Sequence, residues 1–186
     1  MKEVMNIGGR LALICAVAAI ILGIVNSVTS PKIEQLKIEA LNEALSAVVP
    51  QGEIGDNIPV SEEGVIRSYH QVTDSSGEIT GYVVSMIGAG YAGDLKMIAG
   101  YTLDGALNAS VLMEDQETPG LGKEAEKPSY MAMFQGKGGD EPMPVRKSQL
   151  PQDRADSISG ATITFIGVAK ALESGSEYVK TLEVAK

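Results

Sequence analysis

The sequence predicts an α+β protein with a single N-terminal transmembrane helix, a helical stem, and a domain of antiparallel β-hairpins packed with helices. Residues 11–31 form an apolar stretch without a charge. Two pairs of strand-like segments follow, each joined by a short turn that contains Asp and Gly. A last segment has the apolar spacing of a helix. A chain of 186 residues has room for an anchor and one such domain.

The apolar stretch is long enough for a membrane anchor, because about 20 apolar residues span the hydrocarbon layer. A cleaved signal peptide is the alternative, but no convincing small-x-small cleavage site follows Val25. Lys2 and Arg10 precede the stretch, and the positive-inside rule then places the N-terminus in the cytoplasm. We therefore expect residues 1–30 to cross the cell (inner) membrane once, in contact with lipid, although two lysines after the stretch weaken the charge asymmetry.

A stem helix is predicted over residues 31–50. Pro31 suits a first helical turn, and Pro50 lies near the expected end of the helix. Between them, apolar residues recur at three- to five-residue spacing among Lys and Glu, namely Ile33, Leu36, Leu41, Leu45 and Val48. This stripe is expected to pack on the domain or on a neighbouring subunit. Residues 51–186 are then the domain, which starts with a polar connecting loop over 51–64.

The middle of the domain reads as two β-hairpins. The predicted strands are residues 65–72, 78–87, 96–103 and 106–113. Asp74 to Gly77 forms the first turn, and Asp104-Gly105 is a strong two-residue hairpin signal. Apolar residues alternate along the second pair, which predicts a sheet with one buried and one solvated face.

The C-terminal third is predicted to be mainly helical. Residues 123–134 read as a short helix or irregular segment broken by Pro128, and residues 145–150 as a short strand. A final helix covers 163–182, with one core-facing side made of Ile163, Ile166, Ala169 and Leu172.

Composition excludes several classes of function. The net charge is −9, so the chain is a poor ligand for nucleic-acid phosphates, which need clustered Lys and Arg. Cys15 is the only cysteine and His70 the only histidine. A disulfide, a zinc site built from several imidazoles, and a hydrolase triad are therefore not expected. We predict that this chain has no metal site and no catalytic residue.

Two short stretches suggest a ligand site. In Asp156-Ser157-Ile158-Ser159-Gly160-Ala161-Thr162, Ser159 can cap the following helix, whose first N–H groups suit a phosphate. Gly160 and Ala161 add little bulk, which leaves Thr162 reachable. A capped helix after a turn is the alternative. In Glu117-Thr118-Pro119-Gly120-Leu121-Gly122, Pro-Gly sets a turn, and the glycines let the backbone approach a ligand.

The first stretch resembles the flavinylation motif of the FMN-binding domain family, D-x-x-S-G-A-T, with Ser157 where a glycine or alanine is frequent. The second resembles the E-T-P-G-L-G loop of the same family. Together with the apolar stretch, they make the chain similar to the G-subunit family of Rnf electron-transport complexes along most of its length.

The resemblance implies FMN joined by a phosphoester to Thr162. The implied flavin contacts are Thr118, Gly120, Leu121, Ser159, Gly160 and Ala161, and the glycine-rich segment 88–93 would be a nearby loop. Asp156 would assist recognition by a flavin transferase or cap the turn. Thr164 is the nearest competing hydroxyl, and spacing alone does not choose between the two threonines.

The resemblance also implies an electron carrier with its FMN domain outside the cytoplasm. The complex would transfer electrons between ferredoxin and NAD⁺ and couple this to Na⁺ or H⁺ transport. Its expected partners are the other membrane subunits and a flavin transferase that uses FAD. The alternatives are the C subunit of a Na⁺-translocating NADH:quinone oxidoreductase and an unflavinylated structural or assembly subunit.

Overall fold

The computed structural model describes residues 2–49, 51–158 and 160–184. The chain divides into two compact units, Met1–Leu41 and Asn42–Lys186. The predicted α+β class is confirmed, since a long apolar helix is followed by an antiparallel sheet packed with helices.

Helix α1 covers Lys2–Val48 and contains Pro31 without ending there. It is long and apolar enough to cross a membrane, which is consistent with a single anchor. The segments predicted as anchor and stem thus belong to one helix. The apolar stripe of the stem is divided: Ile33 and Leu36 are exposed, whereas Val48 is fully buried in the second unit. Pro50, the expected end of the stem, lies outside the described residues.

The sheet has six strands in the order β1-β3-β4-β5-β6, with β2 also paired to β3. Their bounds are Glu53–Ile54, Ile58–Pro59, Ile66–Thr73, Ile79–Ala89, Asp94–Thr102 and Leu107–Glu114 for β1 to β6. Both predicted hairpins are present, but the second turn is longer than the two residues predicted, since β5 ends at Thr102 and β6 begins at Leu107. The loop predicted over 51–64 instead contains β1 and β2, whose backbones pair with the edge of β3. Strands of two residues are too short to show an alternating pattern, and the polar composition of the segment is typical of a loop.

Both faces of the sheet are covered at its centre, so the expectation of one solvated face is wrong there. The predicted core side, which includes Leu95, Met97 and Tyr101, is buried in the main core. On the other side, Val83 and Ile98 are buried against the end of α1. Gly100 makes this second contact possible, because a Cβ at this position would overlap the carbonyl oxygen of Val48.

Asp74 stabilises the turn between β3 and β4. Its Oδ1 accepts hydrogen bonds from the Ser76 hydroxyl (2.6 Å), the Ser76 N–H (2.8 Å) and the Glu78 N–H (3.0 Å). These bonds, the hydroxyl first, hold the pKa of Asp74 below its usual value of 3.8. A carboxyl with a lowered pKa stabilises the fold at pH values above its unfolded pKa. That stabilisation is lost as the pH falls through the folded pKa.

We therefore expect the amide proton shifts of Ser76 and Glu78 to titrate together in NMR spectra, with a midpoint below 3.8. Asp74→Asn keeps an acceptor oxygen but carries no charge, so the shared titration should be absent in that variant. A wild-type midpoint at or above 3.8 would contradict the assignment of these bonds.

The C-terminal third is helical, as predicted, apart from one segment. A 3₁₀ helix over Gly122–Glu126 is followed by α2 over Pro128–Met131, by α3 over Gln152–Ser157 and by α4 over Thr162–Val184. The strand predicted over 145–150 is wrong. This segment contains a 3₁₀ turn over Lys147–Gln149, and the Gln149 side chain accepts the Arg146 N–H, so the chain closes on itself.

The core-facing side of α4 is only partly as predicted. Ala169 and Leu172 are fully buried, but Ile163 is 53% exposed. Phe165 and Val168 occupy the core instead. Ile163 is the second residue of the helix. The apolar spacing shows which side of a helix is apolar, but not whether another element packs on its first turn.

Candidate functional site

Thr162 is the first residue of α4, and its side chain is exposed. Gly160 precedes it with φ +85°, a left-handed conformation that favours glycine. Ala161 is buried and fixes the start of the helix in the core. Ser159, the predicted cap, lies outside the described residues. The sharp turn at Gly160 is therefore followed at once by a threonine at the surface.

A cavity of about 390 Å³ opens at Thr162 and joins three segments that are distant in sequence. The turn between β4 and β5 contributes Tyr91, and the turn after β6 contributes Thr118 and Leu121. The start of α4 contributes Gly160, Ala161, Thr162, Ile163 and Thr164. Of the predicted site residues, Thr118, Leu121, Gly160, Ala161 and Thr162 are thus brought together.

Gly120 and Asp156 do not line this cavity. Gly120 has φ +75° in a turn closed by a hydrogen bond from the Leu121 N–H to the Thr118 carbonyl (3.1 Å). The predicted Pro-Gly turn is therefore present, and it aims Leu121 at the site. Asp156 accepts a hydrogen bond from Gln152 within α3 (2.9 Å). The Asp156 side chain is therefore bonded to its own helix and not to the described residues around Thr162 that line the cavity.

Glu117 is a residue of this candidate site that the sequence analysis did not single out. Its side chain is 4% exposed and belongs to the wall of the same cavity. Oε1 accepts the N–H groups of Tyr91 (2.7 Å) and Ala92 (3.2 Å), and Oε2 accepts the Thr164 hydroxyl (2.9 Å). Its own N–H donates to Asp115 (2.7 Å). The available signal was that Glu117 is the only charged residue of the E-T-P-G-L-G stretch.

Two glycines leave room for this carboxylate. A Cβ on Gly90 would overlap Oε1 of Glu117, and a Cβ on Gly122 would overlap Oε2. We predicted that Gly122 would let the backbone approach a ligand. Its backbone instead approaches the buried carboxylate, so the two glycine-containing loops close around Glu117.

The two candidate threonines differ sharply. Thr164 is 1% exposed, and its hydroxyl donates to Glu117. Thr162 is exposed on the same helical turn, and that turn contains no acidic residue. The N-terminus of a helix favours an anion. Of the two candidate threonines, only Thr162 is exposed, and it stands at a helix start that suits a phosphate, which fits the chemistry expected of an FMN attachment point.

Tyr130 adds a buried hydroxyl close to the site. Burial and then the Glu117 carboxylate raise the pKa of Tyr130. Its hydroxyl has no hydrogen-bond partner within the part of the chain that the structure describes. Two larger cavities, of about 770 and 680 Å³, contain none of the predicted contact residues.

Residues 90–177 match the model of the FMN-binding domain family. The chain is 32% identical over 191 residues to the G subunit of an ion-translocating oxidoreductase complex of Methanosarcina acetivorans, covering 98% of this chain and 97% of that protein. The chain belongs to the G-subunit family of ion-translocating oxidoreductase complexes. The resemblance stated above is therefore confirmed, and the chain is a subunit of an ion-translocating oxidoreductase.

Two further relatives of this protein are informative. The G subunit of the Na⁺-translocating ferredoxin:NAD⁺ oxidoreductase complex of Acetobacterium woodii is 30% identical over 190 residues, covering 94% of this chain and 88% of that protein. The crystal structure of Shewanella oneidensis NqrC has a TM-score of 0.52 and 26% identity, covering 64% of this chain and 61% of that chain. The coverage favours a G subunit over the alternative C subunit.

Proposed function

We propose that this G subunit is a membrane-anchored electron carrier whose FMN is attached through a phosphoester to Thr162. It would relay electrons within an Rnf-type ferredoxin:NAD⁺ oxidoreductase that is coupled to Na⁺ or H⁺ transport. The observation that carries the proposal is that the exposed Thr162 lines a cavity within the matched FMN-binding domain.

The contrast between the two threonines supports Thr162 as the acceptor. A transferase must bring a large reagent to the hydroxyl, and of the two threonines only Thr162 is exposed. Thr164 would first have to break its bond to Glu117 and leave the core. The start of α4 also favours the phosphate after attachment, because helix N–H groups and the helix dipole stabilise negative charge.

The attachment reaction is a phosphoryl transfer from FAD. An O–P bond forms between Thr162 Oγ1 and the flavin-side phosphorus, and the pyrophosphate P–O bond breaks. AMP leaves with the bond electrons, and the hydroxyl proton passes to a base of the transferase. Asp156 is proposed to assist recognition by that enzyme, since its exposed carboxylate lies on α3, just before the acceptor turn.

The protein and the cofactor would then divide the work. The flavin supplies the electron chemistry. Thr162 holds the phosphate, and Thr118, Leu121 and Ile163 form part of the wall against which the rest of the cofactor can pack. Covalent attachment matters most outside the cytoplasm, where free FMN would be lost by dilution. This agrees with the orientation proposed from Lys2 and Arg10, which places the FMN domain on that side.

The test is the intact mass of the full chain after expression with and without a flavin transferase. We expect an increase equal to one FMN moiety only with the transferase, located in the tryptic peptide that contains Thr162. An unmodified peptide despite an active transferase would refute the carrier and favour the unflavinylated assembly subunit. Activity of the transferase is verified in the same cells on a second, known substrate protein.

A further inference from the structure

The buried carboxylate of Glu117 is not explained by the attachment reaction itself. The groups that donate hydrogen bonds to it come from two other segments, the turn at Tyr91 and Ala92 and the start of α4. The ion pairs among the described residues involve other carboxylates. Burial of an unpaired charge is costly, so hydrogen bonds of this kind are needed to hold it.

The position of Glu117 gives it two possible effects on a flavin attached to Thr162. First, it ties the start of α4 to the turn at Tyr91, and both belong to the cavity wall. Second, its carboxylate is part of the same wall as Thr162. Electron uptake adds negative charge to the site unless a proton follows, and a fixed negative charge nearby opposes that uptake.

We infer that Glu117 is a positioning residue for the flavinylation site and that its carboxylate lowers the midpoint potential of the attached flavin. This inference rests on the proposed function. In this view, the two loops that enclose Glu117 fix the turn before Thr162, and the charge of Glu117 sets how readily the cofactor accepts electrons.

Two substitutions separate the hydrogen bonds from the charge. In Glu117→Gln, Oε1 can still accept from Tyr91 and Ala92, and Nε2 can donate to Thr164, whose hydroxyl can also accept. Shape and hydrogen bonds are retained while the charge is removed. Glu117→Ala removes both. Glu126→Gln is the matched control, because it makes the same charge change at an exposed glutamate of the neighbouring 3₁₀ helix.

The experiment measures the rate of flavin attachment to the full chain in detergent, followed by the midpoint potential from spectroelectrochemistry. We expect Glu117→Ala to accept flavin at least about tenfold more slowly, because the acceptor turn loses its tie. Glu117→Gln should accept flavin at nearly the wild-type rate and have a higher midpoint potential. Glu126→Gln should match the wild type in both measurements.

Amide exchange in the unmodified chain gives an independent readout. Protection of the Tyr91 and Ala92 amides should be lost in Glu117→Ala and retained in Glu117→Gln. Equal potentials for Glu117→Gln and the wild type would overturn the effect on potential. Wild-type attachment and protection in Glu117→Ala would overturn the positioning role. If Glu117→Ala does not fold, the midpoint potential of Glu117→Gln still tests the effect of the charge on the flavin. Failure of the wild type itself to accept flavin would instead refute the proposed function.

Discussion

Replacement of Thr162 by alanine is expected to abolish covalent flavin in the purified subunit. The substitution removes the hydroxyl of the exposed threonine at the start of α4, while Thr164 remains buried and bonded to Glu117. Alanine is also a good helix former, so the start of α4 should persist. The measurement is flavin fluorescence of the denatured band on a gel, together with intact mass. Fluorescent Thr162→Ala protein would refute the assignment.

Two control variants make this result specific. Thr162→Ser keeps a hydroxyl at the same position and should retain attached flavin. Thr164→Val removes the neighbouring hydroxyl with little change of shape, and it should also retain flavin at the end point of the reaction. Loss of flavin in Thr164→Val with retention in Thr162→Ala would exchange the roles of the two threonines.

Gly167→Ala is expected to destabilise the domain by about 2–3 kcal/mol, as an overpacked core does. A Cβ on Gly167 would overlap the carbonyl oxygen of Ala89, so α4 would have to move away from β4. At an open helix position the same change would stabilise by about 1 kcal/mol. The contact with Ala89 therefore turns a stabilising substitution into a destabilising one. Thermal unfolding of the full chain in detergent, followed by near-UV circular dichroism, should show a melting temperature roughly 6–10 °C lower.

Ser174→Ala is the matched control for Gly167→Ala. Ser174 is in the same helix, and its hydroxyl donates to the Lys170 carbonyl of that helix. Ser174 is half-buried and its hydroxyl bonds within its own helix, so its removal should change the melting temperature by little, as substitutions away from core contacts usually stay within about 0.5 kcal/mol. An unchanged or raised melting temperature in Gly167→Ala would show that the approach of α4 to β4 is looser than described.

The sequence predicted the elements that local chemistry specifies. Asp74 to Gly77 and Asp104-Gly105 gave both hairpin turns, because turn residues act through their own backbone and near neighbours. Residues 145–150 show where this fails. Their position between two prolines suggested a short strand, but the bond between the Gln149 side chain and the Arg146 N–H favours a turn.

Long-range contacts could not be predicted in the same way. The second face of the sheet is buried by the end of α1. This packing brings Gly100 against Val48, which is far away in the sequence. The role of Glu117 likewise depends on Tyr91 and Thr164, which lie 26 and 47 residues away. The motifs identified the loops of the candidate site, but not the carboxylate that connects them.

The ties around Glu117 have a consequence for the maturation of the subunit. Hydrogen bonds between protein groups connect the walls beside Thr162, so under the proposed function this cavity can form before the cofactor is attached. Folding would then come first and modification second, with the transferase acting on a finished surface. Cells that lack the transferase should accumulate a well-folded but colourless subunit, which can compete with the mature form for its place in the membrane assembly.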